Sequence, residues 1–190
     1  ILLEPIQGEG GMNIPQPGFL AKVREICTKH DILLACDEIQ TGLGRTGYLM
    51  AEDFDEIKAD ISVIGKSLGG GFMPVSAVLS RNGFLDVLNP GEHGSTFGGN
   101  PLACAVGRAA LKIILEDGLI ENAAEKGDYL KQEIEKMDIR GLKQVKGRGL
   151  MLGLEFEGPV DSVIAKMIEN GLLCNKAGSH VVRLTPPLLI

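Results

Sequence analysis

Ile61-Ser62-Val63-Ile64-Gly65-Lys66-Ser67-Leu68-Gly69-Gly70-Gly71 is the stretch that decides the fold class. Its first residues are apolar and largely β-branched, as in a buried strand, and the run is too short for a helix. A lysine stands where the strand ends, and the glycines after it allow close approach of the backbone to a ligand. Upstream, Ile32-Leu33-Leu34-Ala35-Cys36 repeats the arrangement and ends in Asp37. A carboxylate and an ammonium therefore stand at the carboxyl ends of two buried strands. Neighbouring strands lie roughly 4.8 Å apart, so such ends can hold groups at opposite sides of one aromatic ring.

Working outward, apolar runs from Ile1 to Ile6 and from Val75 to Leu79 add two strands. Phe19, Leu20, Val23, Ile26 and Cys27 recur at helical spacing between the first two strands. This alternation predicts an α/β fold with a mainly parallel sheet. Gln40 to Gly47 carries three glycines and no apolar periodicity, so it reads as a loop leaving the carboxyl edge of the sheet, where ligand sites concentrate. Asn100-Pro101 opens a helix, an N-cap followed by proline at the first helical position. Leu102, Val106, Ala109, Ala110, Ile113 and Ile114 are its expected buried stripe, up to Gly118. In the next helix Ile120, Ala123, Gly127, Leu130, Ile134 and Met137 share one face. After Gly141, the run Leu150 to Phe156, a helix with Val160, Val163, Ile164, Met167 and Ile168, and the run Val181 to Leu184 describe a smaller α+β unit. The expected division gives residues 1–118 to part of a large, cofactor-binding domain and 119–190 to part of a small C-terminal domain.

The 190 residues, 44% hydrophobic and 23% charged, are an ordinary globular mixture. A net charge of -6 with scattered Lys and Arg offers no face for nucleic acid and favours small-molecule chemistry. Cys27, Cys36, Cys104 and Cys174 form no C-x-x-C pair, which points to reduced thiols and a cytoplasmic location. The opening Ile1-Leu2-Leu3 lacks the basic flank and length of a signal peptide or membrane span, so no membrane partner is expected. With no initiator Met, and an end at Pro186-Pro187-Leu188-Leu189-Ile190 without a closing helix, both termini read as cuts through a larger protein.

Taken singly, Lys66 reads as a solvated charge and Asp37 as a loop or cap carboxylate. Together they are the pair that a pyridoxal cofactor requires: an amine to hold its aldehyde as an imine, and a carboxylate to keep its ring nitrogen protonated. A P-loop NTPase is the rival, since Asp37-Glu38 resembles a Walker B end and Gly65-Lys66-Ser67 a Walker A end. That loop needs glycine five residues before Gly65, where Asp60 stands, and the two segments come in the wrong order. No metal is expected: His30, His93 and His180 lack ligand spacing, and Asp53-Phe54-Asp55-Glu56 lacks the glycine of a calcium loop.

Over nearly its whole length the sequence resembles the class-III aminotransferases of fold type I. The resemblance rests on four stretches in family order: Glu4-Pro5-Ile6-Gln7-Gly8-Glu9-Gly10-Gly11; Asp37-Glu38-Ile39-Gln40-Thr41-Gly42 with Gly44-Arg45-Thr46-Gly47; Gly65 to Gly71; and His93-Gly94-Ser95-Thr96-Phe97-Gly98-Gly99-Asn100-Pro101. It implies pyridoxal 5'-phosphate (PLP) as cofactor, with Lys66 as its Schiff-base lysine and Asp37 on the pyridine nitrogen. It also implies Glu38, Ile39 and Gln40 at the cofactor, Ile39 against the ring face and Gln40 near the phenolic oxygen. Thr96, with Ser95 beside it, would reach the cofactor phosphate of a neighbouring subunit, so the active site would be shared across a homodimer. Ser95 is also a candidate substrate contact. Arg183 would grip a substrate carboxylate through two charge-assisted bonds, and Glu9 would pair with that arginine and release it.

The implied reaction is a ping-pong transfer from an amine donor to a 2-oxo acid such as 2-oxoglutarate. Gly91-Glu92 with His93 to Thr96 is most similar to family members acting on ornithine. Gly71-Phe72-Met73-Pro74 is similar to those acting on putrescine, and Ala177-Gly178 before Val181-Val182-Arg183 to those acting on acetylornithine. The expectation is a terminal-amine transaminase with ornithine as donor, and acetylornithine, putrescine or 4-aminobutyrate as alternatives. The family's amino-terminal half, with its phosphate-cradling turn, has no counterpart here. The chain alone is therefore expected neither to bind PLP tightly nor to turn over.

Overall fold

A computed structural model describes residues 1–81 and 83–190. The four apolar runs of the first half become β1 (Leu2–Leu3), β2 (Ala35–Asp37), β3 (Ile61–Ile64) and β4 (Ala77–Ser80), side by side in that order. The first three run parallel, and β4 returns antiparallel along β3, pairing Ile64 with Ala77. β1 is shorter than its apolar run. Pro5 has no amide hydrogen to give a ladder, and Ile6 turns away into a different core. Between β1 and β2 lies α1 (Phe19–Lys29), whose Leu20 and Cys27 are buried with Leu34, Cys36, Ile57 and Ala59. Burial of a large apolar side chain of this kind contributes about 1.5–3 kcal/mol. Phe19 and Ile26, expected on the same stripe, are exposed. The orphan amides at the start of α1 are satisfied from a distance: the Asp55 carboxylate accepts from Gly18 N–H at 3.1 Å and Leu20 N–H at 2.9 Å.

Beyond β4 come α2 (Pro101–Glu116) and α3 (Leu119–Glu135). The Asn100 side chain caps α2 by accepting from Ala103 N–H at 2.9 Å, with Pro101 at the first position, as the sequence predicts. The buried stripe of α2 keeps Ala110 and Ile114 of the expected one and adds Ala103 and Gly107, while Leu102 and Ile113 are 56% and 45% exposed. The small residues win because α2 lies close to the turn after β3; a Cβ on Gly107 would sit 3.6 Å from the Leu68 carbonyl oxygen. In α3, Ala123, Gly127 and Ile134 are buried as expected, together with Leu119. Met137 is exposed, because the helix ends at Glu135.

The second sheet has the order β5 (Leu142–Arg148), β6 (Met151–Phe156), β8 (Val181–Leu184), β7 (Asn175–Ala177), every neighbour antiparallel. α3 and α4 (Asp161–Glu169) contribute to its core of Ile134, Val145, Leu154, Phe156, Val160 and Val182 and the half-buried side chains around it. A smaller core joins the two halves: Ile6 and Met12, from the segment after β1, pack with Met151, Ala177 and Val181 of the second sheet. That packing brings Glu9 against β8. Among the described residues no helix is long and apolar enough to cross a membrane, and no His, Cys, Asp and Glu group could hold a metal ion.

Candidate active site

β2 and β3 run parallel in register, with Asp37 opposite Val63, so their carboxyl ends stand side by side. Lys66 follows three residues beyond Val63, as the first residue of a short 3-10 turn, Lys66–Gly69. Its φ is 42°, in the left-handed region. A non-glycine residue there costs roughly 1–2 kcal/mol. Strain of this kind persists where the surroundings dictate the backbone, and it clusters at functional sites. Lys66 is exposed, and among the described residues its amine makes no hydrogen bond and no ion pair.

Asp37 is half-buried and its Oδ1 accepts from Ile39 N–H at 3.0 Å, which fixes the carboxylate through a local turn. Ile39 lies against Gly65: a Cβ added there would meet Ile39 Cγ1 and Cγ2 at 3.6 Å. A branched apolar side chain thus lies against the residue that precedes Lys66. Glu38, expected at the cofactor, needs correction. It is 1% exposed, and both carboxylate oxygens are engaged within the protein: Oε2 accepts from the Thr41 hydroxyl and Oε1 from Glu52 N–H at 2.8 Å. Burial pushes its carboxyl above the usual glutamate range, against the hydrogen bonds from Thr41 and Glu52. Glu38 holds the loop rather than a ligand.

Gln40, Glu9 and Arg183 meet from three separate parts of the chain. Arg183 Nη1 donates to Glu9 Oε1 and, at 3.4 Å, to Gln40 Oε1; Gln40 Nε2 donates to Glu9 Oε1 at 3.3 Å. The Arg183 hydrogen bond holds the Glu9 carboxyl below the usual range, and the nearby charge of Lys66 acts in the same direction. The Arg183 side chain is 12% exposed and that of Glu9 66%, so the carboxylate is the partner with room to move away. Ser95 and Thr96 sit in an exposed segment; Ser95 shares a cavity of about 530 Å³ with Lys66, Ser76 and Phe97, which Thr96 does not line.

Three further residues shape the cluster and escape a reading of the sequence. Gly8 lies under Gln40, where a Cβ would stand 2.7 Å from the carboxamide. Asn175, opposite Arg183 in the β7–β8 ladder, takes its Nε–H at 2.9 Å. Arg45 Nη1 donates to the Leu150 carbonyl at 3.0 Å and also to that of Pro186. Gly8 and Arg45 stand inside quoted motifs, but only the ladder register could single out Asn175.

The family model for aminotransferase class-III matches residues 1–190. The chain belongs to the class-III aminotransferases. Among relatives of this class-III chain, ornithine aminotransferase 2 of Staphylococcus saprophyticus is 50% identical over the whole chain and 48% of its own length. The chain therefore spans about half the length of the curated relatives it matches. An ornithine aminotransferase of Toxoplasma gondii, crystallised with oxidised glutathione and with partial occupancy of PLP at its active site, superposes with a TM-score of 0.95 at 44% identity, over 100% of this chain and 46% of its own. Acetylornithine aminotransferase from Elizabethkingia anophelis superposes with 0.94 at 44% identity, over 100% of this chain and 49% of its own. The mixed α/β architecture, with its mainly parallel first sheet, is that of part of a fold type I aminotransferase.

Proposed function

We propose that the protein to which this chain belongs is a PLP-dependent transaminase that moves an amino group from a terminal-amine donor, ornithine, to 2-oxoglutarate. The observation that carries the reading is the pairing of Lys66 and Asp37 at adjoining ends of parallel β2 and β3, with Ile39 beside them. This donor set fits the ring of PLP: an amine free among the described residues, a carboxylate with one oxygen already oriented, and an apolar side chain for the ring face. The ornithine aminotransferases among the relatives support the donor, and the PLP-bearing Toxoplasma gondii protein supports the cofactor.

When bound, PLP supplies an aldehyde that condenses with a lysine amine and a ring that withdraws electrons from the amine-bearing carbon of the substrate. Lys66 would hold that aldehyde, and its Nζ, when free, would accept the proton leaving the donor carbon and give it back. Asp37 would keep a proton on the ring nitrogen, and Ile39 would exclude water from one face. Arg183, released by Glu9, grips a carboxylate of the oxo-acid through its planar fork. With Glu9 in place the same pocket is neutral toward a cationic donor. A movable ion pair lets one site serve a diamine-type donor and a dicarboxylate in turn.

The reading includes a homodimer in which Ser95 and Thr96 serve the neighbouring subunit's cofactor, a cytoplasmic location, and a division near Gly118 into cofactor-binding and small domains. Acetylornithine is the second donor to consider, since the acetylornithine aminotransferase matches this chain's structure as well as the ornithine enzymes do. Borohydride reduction of the full-length parent, followed by peptide mapping, should put the pyridoxyl group on Lys66; a label on another lysine would sink the assignment. A panel of ornithine, acetylornithine, putrescine and 4-aminobutyrate with 2-oxoglutarate then ranks the donors.

A further inference from the structure

The loop that begins at Asp37 touches the second sheet unit in two places. Near its start, Gln40 meets Arg183 and Glu9. At its far end, Arg45 makes three bonds across the same junction. Its Nη1 donates to the carbonyls of Leu150, in the β5–β6 turn, and of Pro186, three residues after Arg183. Its own carbonyl accepts from Leu150 N–H at 3.0 Å. Among the described residues Arg45 enters no ion pair, so its charge is balanced here by backbone carbonyls from two different segments. The contact surface is tight: a Cβ on Gly149 would stand 2.6 Å from the Thr46 carbonyl carbon and 2.8 Å from the Arg45 carbonyl oxygen.

We propose that Arg45 is a positioning residue for Arg183. One guanidinium clasps the β5–β6 turn and the tail of β8 together, and so sets how far the Arg183 strand stands from the loop carrying Asp37 and Gln40. Lys66 and Asp37 are fixed by the first sheet and do not depend on that clasp. Arg183 does, because its strand belongs to the other unit, and Arg45 holds the segment that follows it, at Pro186. The consequence is selective: loosening the clasp displaces the carboxylate-gripping group and leaves the amine chemistry in place. Lysine is a poor substitute, since its ammonium sits on a flexible stem, whereas the rigid guanidinium plane holds Nη1 between the two carbonyls.

The proposal rests on the transaminase reading, and its test separates the two. In the full-length parent, Arg45→Lys and Arg45→Gln should leave the cofactor absorbance and the rate of the donor half-reaction near wild type. The KM for 2-oxoglutarate should rise on the order of 10-fold or more, since misplacement by about 1 Å can cost as much as 100-fold. Titration calorimetry with glutarate, an unreactive dicarboxylate, should show the same loss of affinity without any turnover. Equal losses in both half-reactions, wild-type affinity for glutarate, or failure of both variants to fold would overturn the positioning role. A wild-type parent that takes an amino group from no donor would instead overturn the transaminase reading, and the proposal with it.

Discussion

Gly8 lies directly beneath the Gln40 carboxamide, and the crowding there comes from the far end of a flexible side chain, not from backbone. In Gly8→Ala the new methyl should therefore push Gln40 aside without disturbing the fold. Thermal melting of the full-length parent should stay near wild type, while the KM for 2-oxoglutarate rises about 10-fold, the equivalent of roughly 1.4 kcal/mol. An unchanged KM would show that Gln40 contributes nothing at the Arg183 end. The ion pair beside it responds to acid in a definite sense. Because Arg183 holds the Glu9 carboxyl below its ordinary value of 4.5, the pair is intact above that pH and is lost as pH falls through the lower folded value. Lys66 and Asp37 were legible in the sequence because each terminates an apolar run, which fixes it to a strand end whatever the rest of the chain does. Gly8 and Asn175 were not, since their roles depend on partners 32 and 8 residues away that only the tertiary fold brings close. Glu38 misled for a related reason: its neighbour in sequence faces the crevice, but the next residue along the strand end turns into the protein.

Between elements, Glu38 ties the end of β2 to the 3-10 turn Ala51–Asp55 through Glu52 N–H. Glu52 is also buried, with its own carboxyl pushed up by burial, and around the two stand Cys36, Thr41, Asp53 and Lys58. A carboxyl raised on folding binds its proton more tightly in the native state, so stability falls as pH rises from 4.5 to the folded value and is level above it. Glu38→Gln keeps an acceptor for Glu52 N–H and removes one buried charge. Urea unfolding at a series of pH values should show a shallower decline above pH 4.5 than in wild type, the remaining slope belonging to Glu52. A parallel pair of curves would mean that Glu38 does not titrate in this window. The strands that sequence reading found are those with consecutive or alternating apolar residues. β5 escaped because its register shifts between Leu142 and Gln144, which breaks the period of two, and β7 because Asn175-Lys176-Ala177 is a short polar edge. In α2 the sequence pattern reaches Ala110 and Ile114 but not Ala103 and Gly107, small residues that are buried on the same face.

Across the molecule, glycines stack where α3, the β5–β6 turn and the loop after β2 meet. A Cβ on Gly127 of α3 would stand 2.1 Å from the Gly149 carbonyl oxygen, and one on Gly47 would stand 2.9 Å from the Ala124 Cβ. Backbone cannot swing aside as Gln40 can, so Gly127→Ala should destabilise the fold by about 3 kcal/mol, read by denaturant unfolding. A loss below about 1 kcal/mol would show that α3 slides freely on the β5–β6 turn. The left-handed backbone at Lys66 is a different kind of demand on the whole. Glycine would adopt that conformation without strain, so the position holds a residue that robustness alone would discard. The molecule carries there a small standing deficit in durability, and what it obtains in return is a single amine at the mouth of the crevice.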